Sequence, residues 1–524
     1  MIAFDYFLIL LFSLFFFFRI RTLMLFFQGE EYENINFLKC ISRKGKLLDK
    51  ITILPLLAIY AVSFISPYLR ILAVFPPVFS FLRERKFLKN AKKKLQITYR
   101  VKRIWITSYI LLNFTFAGLL YGGIPIIICG VFLLFVLPVF LVIANIILYP
   151  LESFIRKGFI NSAKKKLDEC RPTVIGVTGS YGKTSVKHFL GAVLSSCSNT
   201  LYTAGTINTL MGVCRVINTE LKPEHKFFIV EMGAYYKGSI RRLCDLVKPS
   251  AAIITSIGLA HLERFKTVEN TASAKFELAE AVRQNNPSGL VVLNKNKIAE
   301  KFLAKDTLAI KVGDGEKYFF TDVVQGVDGI SFVFHKADEL SLPIAAKVYG
   351  KHNAEDMALA IALALEMGVP ASTIAAALKN VKPVKNRLQP LQIGKLTVLD
   401  DGYNSNPDGF TNALNILSVY KKAMGGRAIL VTPGIIELGK KHDEIHAELG
   451  KKAAEKADVV LAVIPERITS FVNAFKEKAP AESLILPVQS KDKAWEWLLA
   501  NATEKDIILF ENDLPDTYES DFAL

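Results

Sequence analysis

Val174-Ile-Gly-Val-Thr-Gly-Ser-Tyr-Gly-Lys-Thr-Ser185 decides how the rest of this chain is read. A β-branched run leads into a glycine-containing turn, and Lys183, Thr184 and Ser185 open a helical pattern over 186–195. A strand ending in such a turn presents backbone N–H groups to an anion, and the helix that follows points its positive N-terminus at the same place. The stretch therefore predicts a phosphate-binding loop in a sheet-and-helix domain. Gly179, Ser180, Tyr181, Gly182, Lys183, Thr184 and Ser185 are its candidate ATP contacts, with Lys183 on the terminal phosphates and the Thr184 hydroxyl on Mg²⁺. The spacing departs from the usual G-x-x-x-x-G-K-[ST], because Val177 stands where the first glycine belongs.

Downstream of residue 173, short β-branched runs alternate with amphipathic helices, the pattern of a parallel sheet covered on both faces. Residues 226–230 read as a buried strand that delivers Glu231 to its C-terminal end, the edge where doubly wound sheets bind ligands. An acidic residue there is placed to hold Mg²⁺ opposite Thr184. Residues 251–257 form a second buried strand, and His261 lies just beyond it, as a ligand for a second metal ion or a cap for the loop. A helix over 267–283 carries Lys275 among alanines, ordinarily a solvated position. A helix over 354–367 reads as amphipathic. Strands at 428–432, 459–464, 484–487 and 507–510 then alternate with helices near 407–420, 440–457, 466–479 and 491–501. This last region is Rossmann-like but lacks a G-x-G-x-x-G opening, so an NAD-type site is not indicated.

Upstream the texture is different. Of 524 residues, 51% are hydrophobic, and the charge is lopsided. Residues 1–171 hold 24 Lys+Arg and 9 Asp+Glu, leaving 41 and 40 for the other 353. The basic excess thus belongs to the N-terminal third and is no sign of nucleic-acid binding by the loop domain. Residues 1–17, 51–82 and 105–151 are apolar tracts, the second broken at Ser66-Pro67-Tyr68 and the third with a reversal at Tyr121-Gly-Gly-Ile-Pro125. A crossing needs about 20 residues, so four or five membrane helices are expected. Residues 83–103 carry ten basic residues and one acidic residue, and 156–166 carry five basic residues, which places both on the cytoplasmic side. The six cysteines show no C-x-x-C spacing and read as reduced thiols. The expected domains are a transmembrane region at 1–151, a basic cytoplasmic linker at 152–172, an ATP-binding domain at 173–384 and a Rossmann-like domain at 385–524. The class is α/β behind a helical membrane domain, multi-pass in the cell membrane with its catalytic part in the cytoplasm.

Set in order, the loop and its downstream signatures resemble the Mur ligases, ATP-dependent amide ligases that build the peptidoglycan stem peptide, and most of all the branch that adds D-alanyl-D-alanine. The matching runs are Thr178-Gly-Ser-Tyr-Gly-Lys-Thr-Ser185, Glu231-Met-Gly-Ala234, Ala260-His261-Leu-Glu263, Ala274-Lys275-Phe-Glu277, Tyr349-Gly-Lys-His-Asn353, Lys385-Asn-Arg387, Asp400-Asp-Gly-Tyr-Asn-Ser-Asn-Pro407 and Ile436-Glu-Leu-Gly439. The resemblance implies a central P-loop ATPase domain and a C-terminal domain that closes over ATP. It implies that Lys183 holds the β- and γ-phosphates, that Thr184 and Glu231 hold a first Mg²⁺, and that His261 holds a second together with Lys275, carbamylated into an anionic ligand. It implies further that Asn353 faces the adenine, that Arg387 turns from the hinge toward the phosphates, and that Asp401 reaches the nucleotide from across the cleft. Asn208, Tyr403, Asn404 and Asn406 are candidate substrate contacts.

The implied reaction activates an acceptor carboxylate as an acyl phosphate and joins it to an amino-acid or dipeptide amine. Three departures bear on its substrates. Membrane helices stand where soluble relatives carry a UDP-binding domain, which points to a cell-wall precursor acceptor that is lipid-linked or handed over at the bilayer. Cys214 stands where a proline is usual, and Thr432-Pro-Gly-Ile-Ile approaches Glu437-Leu-Gly439 in an altered form. A poly-γ-glutamate-synthase-like amino-acid ligase is the alternative within the same superfamily. An ATP-driven membrane transporter is the alternative from another class, set back by spans with few ionisable residues apart from Arg70.

Overall fold

The computed structural model describes residues 2–43, 50–90, 94–234, 236–258, 265–296, 301–402, 406–436 and 438–512. They divide into two compact units, one up to Lys157 and one from Gly158 to Leu514.

The first unit is helical. Among the described residues of the chain, the helices Ala3–Gly29, Tyr99–Tyr121 and Ile126–Cys170 are long and apolar enough to cross a bilayer, and Ile51–Val62 is a shorter apolar helix. The glycine-rich reversal falls between Tyr99–Tyr121 and Ile126–Cys170, with Gly123 at φ 79° supplying the left-handed turn. The second apolar tract breaks into the helix Lys50–Val62, a 3-10 stretch Pro67–Val74 and the helix Phe75–Asn90. Phe12, Phe16 and Phe116 pack edge to face in its core. A buried Arg19–Glu84 ion pair also receives the Thr22 hydroxyl at 2.8 Å, so these two charges inside the apolar unit are partnered. Phe114, Ile106 and Ile110 of the helix Tyr99–Tyr121 are exposed, leaving it an apolar outer face.

The second unit contains two sheets. The first has β1 (Thr173–Thr178), β2 (Thr200–Tyr202), β3 (Phe227–Glu231), β4 (Ala251–Ile254), β5 (Val291–Asn294), β6 (Ala309–Val312), β7 (Tyr318–Gly326), β8 (Gly329–Lys336) and β9 (Leu340–Ala346). Their order is β2-β3-β1-β4-β5-β6-β7-β8-β9, parallel through β7 and antiparallel across β7-β8-β9. With β1 between β3 and β4, the sheet switches direction of progress at the loop. The register Val177↔Glu231 sets the Glu231 carboxylate level with the loop's first residues. One face is covered by the helices Lys183–Ser195 and His352–Glu366, the other by Leu210–Glu220, Ser239–Val247 and Val268–Asn285.

The helix His352–Glu366 corrects the amphipathic reading of 354–367. Every residue from Asp356 to Ala364 is buried. Its Ala-rich surface lets it lie close to the sheet, to the helix Lys183–Ser195 and to the helix Ala371–Lys379, leaving no polar face to water.

The second sheet comprises β10 (Gln389–Ile393), β11 (Leu396–Asp401), β12 (Ala428–Thr432), β13 (Val459–Val463), β14 (Leu484–Val488) and β15 (Ile507–Glu511), in the order β10-β11-β15-β12-β13-β14. All pairs are parallel except β10 with β11. At the start of β12 the buried Asp506 accepts from Arg427 N (2.7 Å), Arg427 Nη2 (2.8 Å) and Thr503 N (2.8 Å). Burial alone would push its carboxyl up, but the Arg427 guanidinium and the two amides outweigh it and hold the group below its ordinary value. Asp506→Ala should therefore destabilise the second unit by about 3 kcal/mol at neutral pH. The difference from the parent should shrink in acid, as pH falls through the depressed folded pKa, in denaturant titrations at several pH values.

Candidate active site

The loop between β1 and the helix Lys183–Ser195 is shaped by its two glycines. Gly182, the N-cap, adopts φ 79°, and a Cβ built on it would lie 2.9 Å from Asp356 Cγ and closer still to Oδ1. A Cβ on Gly179 would lie 2.9 Å from Thr255 Cβ and closer still to its Oγ1. Only glycine fits either place. The loop is fastened to the chain that leaves β4: Ser180 N donates to Ser256 O (2.7 Å), Gly258 N donates to Ser180 Oγ (3.0 Å), and the Thr255 hydroxyl donates to Tyr181 O. Lys183 curls over its own loop and donates to Gly179 O (2.9 Å) and Ser180 O (3.1 Å). Burial lowers its pKa, and Arg387 lowers it further, against the attraction of Glu231 and Asp356.

Glu231, 1% exposed, ends β3 beside the loop. Its Oε2 accepts from the Thr184 hydroxyl (3.0 Å) and from Lys187 Nζ (2.9 Å), and its Oε1 accepts from Asn208 Nδ2 (3.1 Å). A hydroxyl and a carboxylate facing one another are hard oxygen donors suited to Mg²⁺. Among the described residues no three His, Cys, Asp or Glu side chains converge as a metal site.

Lys187 is a residue that the sequence reading missed. It stands one turn after Thr184 on the same helix face, which was the available signal, and it also donates to Gly205 O. Lys187→Met would leave a buried carboxylate without its cation. The expected loss is about 3 kcal/mol of stability in denaturant titration, part of it regained when Mg²⁺ and nucleotide are added together.

Ser180 through Ser185, Asn208, Glu231, Asn353, Arg387, Asp401 and Asn406 all line one cavity of about 350 Å³. Gly179 and Lys275 stand behind its wall. Lys275 is 2% exposed and donates to Gly179 O (2.8 Å). Burial, and secondarily Lys183, hold its pKa well below the usual lysine value, favouring the neutral amine. Asn353 Nδ2 donates to Tyr349 O (2.7 Å) at the cavity edge. Asn406 caps the helix Pro407–Met424 by accepting from Gly409 N (3.0 Å).

Arg387 is presented by unusual backbone. Asn386 and Leu388 on either side adopt left-handed φ values of 59° and 45°. Leu388 N is held by Asp401 Oδ1 at 3.1 Å, repaying part of that strain of about 1 kcal/mol per residue. Burial pushes the Asp401 carboxyl up to about 6, against the pull of Arg387 and of the Leu388 amide. His261, Tyr403 and Asn404 lie outside the described residues.

This combination of a β1 phosphate loop, a Thr–Glu oxygen pair and a basic hinge leading into a second parallel sheet has a match among known families. The chain belongs to the Mur ligase family: residues 177–364 match the Mur ligase middle domain, and residues 386–511 match the Mur ligase, glutamate ligase domain. It is 32% identical over 302 residues to the UDP-N-acetylmuramoyl-tripeptide–D-alanyl-D-alanine ligase of Escherichia coli (strain K12), covering 55% of this chain and 64% of that one. The match thus spans somewhat less than two thirds of that relative's length. A crystal structure of MurF from Acinetobacter baumannii superposes with a TM-score of 0.59 at 27% identity, covering 69% of this chain and 78% of that one. MurF ligase from Thermotoga maritima, solved in complex with ADP, shares the fold with a TM-score of 0.60 at 23% identity, over 70% of this chain and 82% of that one.

Proposed function

We propose that the chain is an ADP-forming ligase of peptidoglycan precursor synthesis, joining an acceptor carboxylate to the amine of D-alanyl-D-alanine or a similar amino acid or dipeptide. The observation that carries this reading is the single cavity in which the loop, Glu231, Arg387 and Asp401 meet. The similarity to the D-alanyl-D-alanine ligases supports the choice of substrates. In the proposed reaction a carboxylate oxygen of the acceptor bonds to the γ-phosphorus of ATP and the bond to the β-phosphate oxygen breaks, releasing ADP. The amine nitrogen then bonds to the acyl carbon, phosphate leaves with the acyl oxygen, and the amine gives up a proton.

Both steps need charge neutralised and groups aligned more than they need a protein nucleophile. Lys183 and Arg387 carry the positive charge on the cavity wall. Thr184 and Glu231 would hold Mg²⁺, which when bound supplies further positive charge to the phosphates. Asp401, by fixing Leu388, orients Arg387 from the second sheet. The buried Lys275 amine, its pKa lowered by burial, is suited to adding CO₂, and as a carbamate would be an anionic ligand for a second ion together with His261. Closure of the two sheets' domains over the cavity would keep water from the acyl phosphate.

The three long apolar helices support a membrane-anchored enzyme and, with it, a lipid-linked acceptor. The test is to incubate the full chain in lipid nanodiscs with ATP, Mg²⁺, a UDP-linked or lipid-linked tripeptide precursor, and a panel of amines. ADP release that depends on both acceptor and amine, with a product heavier by the amine less water, is the expected result. ATP hydrolysis indifferent to amine would sink the ligase reading. Equal use of both acceptors would sink the lipid-linked one.

A further inference from the structure

We propose that Asp356 meets the nucleotide phosphates as the neutral carboxylic acid, so that nucleotide binding at the loop is linked to the proton on this one side chain. The inference rests on the nucleotide reading above and adds to it a residue and a linkage.

Asp356 lies in the first turns of the helix His352–Glu366 and on the wall of the cavity, 7% exposed. Its carboxyl group packs directly on Gly182, the N-cap of the loop helix, where backbone N–H groups await an anion. Oδ2 is buried and has no hydrogen-bond partner among the described residues. A buried carboxyl oxygen left unpaired is a group whose partner comes from elsewhere. As a carboxylate it would set acceptors against phosphate oxygens that are themselves only acceptors. As the acid it has an O–H to donate to one of them. The arrangement is thus compatible with a phosphate chain in one protonation state only.

The groups around it agree. Burial raises the Asp356 pKa to about 8, with its neighbour Glu355 adding to the rise and Arg387 and Lys183 opposing it. Phosphates placed on the same wall raise it further. From the same helix, His352 also has a buried Nδ1 without a partner among the described residues, and burial beside Arg387 pushes its imidazole down to about 4, so it stays neutral in the range that matters. From the loop, burial pushes the Tyr181 phenol up to about 12. From the second sheet's domain, Asp401 titrates near 6, and Asp408 also lines the cavity. Burial lowers the pKa of Lys183, and the charge of Asp356 opposes that lowering, so the parent–variant difference includes any response of this ammonium to the substitution.

The experiment is titration calorimetry of the full chain with Mg²⁺ and ADP, in buffers of different ionisation enthalpy, comparing the parent with Asp356→Asn. A group that titrates near 8 takes up about a tenth of a proton on binding at pH 7 and about nine-tenths at pH 9. The variant, which keeps a donor of the same size, should take up less by that amount and bind ADP about tenfold more tightly than the parent at pH 9. Equal proton uptake in the two proteins overturns the proposal, as does loss of ADP binding in the variant at every pH. Failure of the parent itself to bind ADP overturns the nucleotide reading instead. Infrared difference spectra of the parent give a readout that needs no variant. ADP added at pH 9 should produce a protonated-carboxyl C=O band, and its absence overturns the proposal.

Discussion

Lys183→Met should lower the ADP-forming rate about a thousandfold while leaving the unfolding transition of the second unit nearly unchanged. The size of the effect follows from removing one pre-placed cation from a buried site where negative charge develops, which is worth about 3–4 kcal/mol in comparable oxyanion sites. The fold survives because the loop has other fastenings: Ser180 to Ser256 and Gly258, and Tyr181 to Thr255. The carbonyls of Gly179 and Ser180 lose only the ammonium that caps them. Steady-state assays with saturating acceptor and amine, set beside a denaturation curve, read both quantities. A variant that retains a tenth or more of the parent rate would remove Lys183 from the chemistry.

Lys275→Ala should cost a similar factor for a different reason. Behind the loop, burial and, secondarily, the neighbouring Lys183 charge hold the Lys275 amine well below the usual lysine pKa. A neutral amine can bond to the carbon of CO₂ and release a proton, becoming a carbamate that carries the charge a second metal ion needs. Alanine removes this, and arginine cannot replace it. Short carboxylates such as acetate should restore part of the alanine variant's rate by occupying the space the side chain left. Carbon-13 NMR of the parent in labelled bicarbonate should show one carbamate signal that is absent from the variant. An arginine variant with full activity would defeat the carbamate account.

Much of the second unit could be read in advance because its elements are locally unambiguous. The run 428–432 is β-branched and bounded by glycine and proline, and β12 occupies those residues. Lys491–Asn501 is a helix opened by Ser490, which accepts from Lys493 N. Elements fixed by tertiary pairing were harder. The sheet extension β7-β8-β9 was unread although Leu340–Ala346 alternates exposed and buried residues over most of its length, because Pro343 within it argues against a strand by local rules. Strand β10 was hidden likewise, since only its antiparallel pairing with β11 makes it a strand.

The site divides in the same way. Lys183, Thr184 and Glu231 announce themselves by motif and by position at a strand end. Lys187 and Asp356 do not. Lys187 lies outside the loop motif, and only the register of β1 with β3 brings Glu231 within its reach. Asp356 was hidden because the helix that carries it read as amphipathic, whereas every residue from Asp356 to Ala364 is buried. A buried charge can be read from sequence only once the burial of its whole element is known.

The two hydrogen bonds from the Lys183 ammonium to the carbonyls of Gly179 and Ser180 make the loop its own first ligand. An arriving anion enters by exchange, taking the ammonium away from oxygens that already satisfy it. Orthophosphate offers little beyond that exchange, whereas a nucleotide would add contacts along the rest of the cavity wall, as far as Asn353 and Asp401. On the nucleotide reading, such an exchange would favour long occupants over short ones.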